Sequence, residues 1–185
     1  QHPDISTFSK ILERYANKRA FFQNDKSYKE AELRTDFINP SLKALGWDVD
    51  NEKGLPHKLR DLIQEETIQV EEAGKYRSKN PDYTLFVGGK RKLFIEVKKS
   101  SIDLLNDSEA AIQVRRYGWN AGHSISLLWN FEHLVIYDCR PMPLPDDAPH
   151  VARIKVYRFE EYIDNIHEIV DFLSRQAVYQ GSLDM

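Results

Sequence analysis

The stretch from Asn80 to Lys99, NPDYTLFVGGKRKLFIEVKK, decides how the chain folds. It reads as two short strands joined at Gly88-Gly89. Tyr83, Leu85 and Val87 alternate with Asp82, Thr84 and Phe86, and beyond the glycines Leu93, Ile95 and Val97 alternate with Lys92, Phe94, Glu96 and Lys98. The odd positions are apolar throughout and form the buried face. Register then decides where the charges go. A two-residue Gly88-Gly89 loop pairs Val87 with Lys90 and sends Asp82 and Glu96 to opposite faces. A three-residue loop, Gly88-Gly89-Lys90, pairs Val87 with Arg91 and sets Asp82 opposite Glu96, with Lys98 following on the same face. In that second register two carboxylates stand about 5 Å apart at Cβ, with an ammonium beside them. They repel each other unless a divalent cation lies between, which makes the arrangement a magnesium site. The competing reading is a solvated edge, where Asp, Glu and Lys usually sit.

Pro81-Asp82 followed by Glu96-Val97-Lys98 at the end of an apolar strand resembles the signature of the PD-(D/E)XK nuclease superfamily. Three further phrases carry the same resemblance in the expected order. Residues 30–47, E-A-x-x-R-x-x-F-I-x-P-x-L-x-x-L-G-W, look like the first helix of restriction endonuclease subunits. That likeness implies that Glu30 faces the metal site across the sheet. Ser27 and Glu30 also have the spacing of a capping box, and the two roles are compatible. Gln113 and Tyr117 stand one helical turn apart on one face, with Arg116 beside them. Their spacing resembles the auxiliary motif of the branch that includes type I restriction motor subunits. The final LSRQAVYQGSLDM resembles the exit of the cleavage domain in single-chain type IIG restriction–modification enzymes, where a helical connector and a methyltransferase follow. The chain is therefore expected to be an excised domain.

Composition sets the bounds. A chain of 185 residues with 41% hydrophobic and 30% charged residues suits one soluble globular domain, which the resemblance makes a nuclease domain. Its expected parts are a helical extension over 1–26, a catalytic core over 27–140, and a strand and helix over 150–185. No run approaches the ~18 apolar residues of a membrane helix, and no signal-peptide core opens the chain. The single cysteine, Cys139, excludes an internal disulfide and fits a reducing, cytoplasmic setting in a bacterial cell. The net charge of -3 does not advertise nucleic-acid binding. Between Lys75 and Asn120, however, ten Lys/Arg face five acids, so that segment is +5 and the remainder -8.

Along the chain, Phe8, Ile11, Leu12, Tyr15 and Arg19 have helical spacing behind Asp4 or Ser6 as caps. Leu33, Phe37, Ile38, Leu42 and Leu45 mark a second helix, kinked at Pro40 and stopped at Gly46, with Trp47-Asp48-Val49 entering a strand. Leu59 to Gln64 reads as a helical turn, and Thr67 to Val70 as a strand that pairs with the hairpin. Lys75 to Lys79 reads as a basic loop. A helix opens near Asp107-Ser108, and Ser124–Trp129 and His133–Asp138 form an interior strand pair. Ala152–Arg158 is a last strand. Phe159–Arg175 is an amphipathic helix carrying Ile163, Ile166, Ile169, Val170 and Leu173.

Together these readings give an α/β fold, a PD-(D/E)XK core with a central mixed sheet flanked by helices. Glu30, Asp82, Glu96, Lys98 and Gln113 should gather at one sheet edge. The resemblance implies Mg²⁺-dependent hydrolysis of double-stranded DNA, with Mn²⁺ able to substitute. Asp82, Glu96 and the Val97 carbonyl would hold the ion, and Glu30 would reach it through water. Lys98 would favour the attacking hydroxide and stabilise charge on phosphorus, and Gln113 and Tyr117 would position DNA or the lysine. Lys90, Arg91, Lys92, Lys99, Arg115 and Arg116 would attract the DNA backbone. Further domains of the same polypeptide, a methyltransferase with specificity elements or a motor, would be its partners, and no membrane. Rival readings are a nuclease-like module that grips DNA without cutting, the nuclease of a repair enzyme, and a charged scaffold domain. No GxxxxGK[ST] phrase and no zinc-ligand cluster occurs.

Overall fold

In the computed structural model, which describes residues 2–184, the chain opens with α1 (Ile5–Asn17), α2 (Arg19–Asn24) and α3 (Glu30–Leu33). A π-helical turn over Arg34–Ile38 leads into α4 (Asn39–Ala44). There follow β1 (Leu62–Gln64), β2 (Ile68–Glu72), β3 (Lys75–Lys79), β4 (Tyr83–Val87) and β5 (Lys90–Val97). Then come α5 (Ser108–Ala121), β6 (Ile125–Trp129), β7 (His133–Asp138), β8 (Arg153–Arg158), α6 (Ile166–Leu173) and α7 (Arg175–Tyr179). The expected α/β architecture is what forms. One six-stranded mixed sheet runs β1-β4-β5-β6-β7-β8, and β5–β6 is its parallel pair, joined by the α5 crossover.

Both faces of the sheet are covered. Tyr83, Leu85, Val87, Leu93, Ile95 and Val97 point into the main core, which also holds Phe8, Leu12 and Tyr15 of α1, Leu42 of α4 and Ile169 of α6. Phe94, Leu128, Val135 and Tyr137 point the other way, against Ala110, Ala111, Val114 and Tyr117 of α5. The segment read as an N-terminal extension therefore belongs to the core. Asp4 caps α1 through the Thr7 N–H at 3.0 Å. Tyr15, Arg19 and Gln23 all donate to the buried Glu132 carboxylate, tying both N-terminal helices to the β6–β7 turn.

Gly118 lets α5 sit close on the sheet, since a Cβ there would meet Cys139 Sγ at 2.3 Å. Cys139 is a buried free thiol whose pKa burial raises to about 11, so it packs rather than reacts. Pro40 explains the π turn. It has no N–H to offer Asp36, and its ring crowds that carbonyl, so the coil widens and the Asn39 N–H reaches back to Arg34. The Asp36 carbonyl accepts from the Arg14 guanidinium instead.

Several local readings are corrected. The helix after Tyr28 begins at Glu30, with Glu32 accepting from the Lys29 N–H; Ser27 instead folds back on Asp25. Trp47-Asp48-Val49 is a turn, not a strand, anchored by the Trp47 indole donating to the Leu173 carbonyl. The strand beside the hairpin is Leu62–Gln64, paired with β4. Ile68–Glu72 pairs with Lys75–Lys79, the supposed loop, in a separate two-stranded sheet. The Phe159–Arg175 helix is broken into a 3₁₀ turn and α6, which leaves Ile163 exposed. Among the described residues no helix is long and apolar enough to cross a membrane.

Candidate active site

The hairpin uses both registers that its sequence allows. Val87 pairs with Lys90 across a two-residue turn in which Gly88 and Gly89 have φ of 59° and 78°, the left-handed pair that a type I′ turn requires. Left uninterrupted, that turn would part Asp82 from Glu96. Between Phe86↔Arg91 and Leu85↔Leu93, however, β5 carries one extra residue, Lys92. This bulge shifts the ladder by one, and from there Tyr83 faces Ile95. The turn is thus shorter than the three-residue loop, and the bulge restores the register that the loop would have given.

Asp82 and Glu96 consequently meet where β4 begins and β5 ends, and the main chain interlocks them. The Asp82 N–H donates to Glu96 Oε1 at 3.1 Å, and the Val97 N–H donates to Asp82 Oδ2 at 2.7 Å. Glu96 is only 7% exposed. Burial pushes both carboxyls above the usual range, and the Asp82 charge adds to the rise of Glu96. The Val97 N–H, the Arg34 guanidinium and the Lys98 ammonium act against the rise of Asp82. A buried carboxylate pair held open at one end lacks charge that a cation would supply. The donors are hard oxygens, which suit Mg²⁺ better than a softer metal. Among the described residues no three acidic, His or Cys side chains converge, so an ion held here would keep several waters, as Mg²⁺ does.

Lys98 follows Glu96 by two residues and lies at the mouth of the site, its N–H donating to the Trp129 carbonyl at 3.1 Å. Lys98 and Gln113 line one cleft of about 510 Å³. Tyr117 is buried edge-on against Phe94, with Gln113 beside its hydroxyl, and burial together with the Glu96 charge raises its pKa. The site lies at strand ends inside the sheet, not at the sheet edge, because β1 covers the outer side of β4.

Among the described residues Glu30 does not converge with Asp82 and Glu96 as a third ligand. Arg34, one turn later in the same helical run, takes the place against Asp82, its Nη1 at 3.3 Å from Oδ1 and its Nη2 at 3.8 Å from Glu65. Arg34 is the member that sequence reading missed; its only signal was the i, i+4 spacing from Glu30.

The expected backbone contacts divide. Arg115 is corrected outright: it is 1% exposed and paired with Asp147 at 2.7 Å, because α5 turns it into the protein. Lys90, Arg91 and Lys92 sit at the turn end of β5, about 13–20 Å from Glu96 at the rise of a strand, and Arg91 is held by Glu66 at 2.9 and 3.0 Å. Lys99 donates to the Lys26 carbonyl at 3.0 Å. Arg116 alone among them lines the cleft with Lys98.

Residues 27–141 match the family model described as the type I restriction enzyme R protein N terminus. The chain is 38% identical over 175 residues to the type II restriction enzyme and methyltransferase RM.Eco57I of Escherichia coli, a match covering 95% of this chain and 17% of that protein. It thus spans about a sixth of that relative's length. A chain in the cryoEM structure of a DrdV–DNA complex is 17% identical, with a TM-score of 0.47, covering 92% of this chain and 13% of that one.

Proposed function

The chain belongs to the family of type I restriction enzyme R protein N termini, and on that premise we propose that it is the cleavage domain of a restriction–modification enzyme, hydrolysing phosphodiesters of double-stranded DNA. One observation carries the reading. The bulge at Lys92 and the reciprocal main-chain hydrogen bonds bring Asp82 and Glu96 together, a costly pairing unless a cation offsets it.

Asp82, Glu96 and the Val97 carbonyl would hold Mg²⁺, or Mn²⁺ in its place, and the ion when bound would polarise the scissile phosphate. The chain's own groups do the rest. The Val97 and Asp82 N–H donors fix the carboxylates, so neither reorganises on binding. Lys98 presents an ammonium to charge developing on the phosphate oxygens and makes deprotonation of an attacking water easier. Gln113 lines the approach, steadied by the Tyr117 hydroxyl. Glu30 acts from further out through water, and Arg34 favours the ionised form of Asp82 against the burial that raises its pKa. Of the two enzyme types, the reading favours a type II arrangement with a methyltransferase in the same polypeptide, as in the relative matched over 95% of the chain.

Cleavage of supercoiled plasmid by the full-length protein tests this. Wild type should cut with Mg²⁺ and not with EDTA, and Asp82→Asn should be silent. Metal-independent cutting, or an active Asp82→Asn, overturns the assignment.

A further inference from the structure

The two-stranded sheet β2–β3 is clamped against β5 and α5, beside Lys98 of the candidate site. Val70 plugs between Phe94 and Tyr117, and the Glu71 N–H donates to Asn120 Oδ1 of α5 at 3.0 Å. Val70 lies opposite Arg77, and Glu72 opposite Lys75. Side chains alternate along a strand, so Lys75, Arg77 and Lys79 share the face that Val70 and Glu72 present toward α5. Glu72 and Lys79 line the same cleft as Lys98, Gln113 and Arg116.

Around Glu72 the charges do not balance. Lys79 Nζ stands 3.7 Å from its carboxylate, Arg77 Nε 3.9 Å and Arg116 Nη1 4.0 Å. Arg115–Asp147 at 2.7 Å and Arg91–Glu66 at 2.9 Å are closed by comparison, whereas Arg34–Glu65, beside the candidate site, is open in the same way at 3.8 Å. One half-buried acid among three loose cations leaves that group two positive charges in surplus beside Lys98, while Glu109 and Asp107, the latter engaged by the Ala110 N–H as the cap of α5, line the same cleft. At 3.7–4.0 Å no hydrogen bond of Glu72 closes on any of the three, so their donors stay available to an anion.

We propose that Arg77, Lys79 and Arg116 form a phosphate-binding subsite for the DNA strand that is cut, and that Glu72 stands in for that phosphate when DNA is absent. The proposal rests on the nuclease reading above. The strand enters between β3 and α5, one backbone phosphate displaces the weak hold of Glu72 on its cations, and a neighbouring phosphate arrives at Lys98. Glu72 thereby suppresses non-specific grip, since a phosphate must compete with it.

Binding of a short duplex by the full-length protein, in Ca²⁺ and over a range of salt, tests this. Glu72→Gln should bind more tightly than wild type, with a salt slope steeper by about 0.9, the value for one more neutralised phosphate. Lys79→Gln/Arg116→Gln should bind more weakly, with a slope shallower by about 1.8. Arg77→Gln, at an exposed position on the rim, should flatten the slope by about 0.9 with an unchanged melting temperature, so the test survives if the double variant folds poorly. Glu72→Gln binding with wild-type affinity and slope, while wild type still cuts plasmid, overturns the subsite alone. Wild type that neither binds nor cuts overturns the nuclease reading and the subsite with it.

Discussion

Replacing Glu96 by Gln should stabilise the metal-free protein, although Glu96 is a buried hydrogen-bonded residue. The amide keeps a carbonyl oxygen for the Asp82 N–H, so that bond survives. What disappears is the repulsion between two buried carboxylates. At about 5 Å and an effective dielectric near 20, it is worth about 3 kcal/mol. Arg34 and Lys98 offset part of this, leaving a gain of about 1–3 kcal/mol above pH about 8, where Glu96 is ionised. For a chain of this size that is about 2–4 °C of melting temperature per kcal/mol. The gain depends on pH with a definite sign. Glu96 has a folded pKa above its unfolded one, so the folded state binds the extra proton. The Glu96 contribution to wild-type stability is therefore fully present below the ordinary carboxyl pKa and is lost as pH rises through the raised one, about 8, whereas Glu96→Gln lacks that loss. Saturating Mg²⁺ should restore about 2.7 kcal/mol to wild type at a hundred times Kd and little to the variant. Thermal melts at acidic and basic pH, with and without Mg²⁺, give all four quantities. A variant that melts below wild type at basic pH without metal, or a wild type indifferent to Mg²⁺ with and without duplex, refutes the reasoning.

Three further outcomes follow from the same structure. Arg115→Ala should cost about 3 kcal/mol in a melt, the cost of breaking a buried pair, and leave the salt slope of DNA binding unchanged, in contrast to Arg116→Gln. Gly118→Ala should lower stability by about 1–3 kcal/mol in denaturant unfolding, because its methyl meets Cys139 and Ser126 below contact distance. Arg34→Gln should lower the metal-free melting point by the equivalent of about 1–3 kcal/mol, and by less with Mg²⁺, since a bound ion replaces the charge that Arg34 gives Asp82.

What could be read from the sequence was what apolar residues decide. The odd positions from Tyr83 to Val97 marked a core face, and the strands at 125–129 and 133–138 carried dense apolar runs. The bulge was hidden because it falls in Lys90-Arg91-Lys92, three cations that carry no inside–outside signal. Asp82 and Glu96 could be placed together only by choosing a register, and the loop chosen for it was not the one that forms. Strand β3 was missed for the same reason: KYRSK has no alternation, and it is a strand only because Val70 docks its partner against α5. Trp47 and Val49 look like strand residues but are buried by a turn after Gly46, whose φ is 96°. Arg34 was overlooked because an arginine on a helix is usually solvated; it stands against Asp82 from the start of the π turn.

The most direct test of the central claim compares cleavage and duplex affinity side by side for Lys98→Ala. Lys98 belongs to the site by its place after Glu96 and in the cleft with Gln113, yet it forms no part of the Asp82–Glu96 interlock. Its loss should therefore cut the cleavage rate by about 10²–10⁴ while the affinity stays within about threefold. Cleavage at the wild-type rate would contradict the nuclease assignment at its most specific residue.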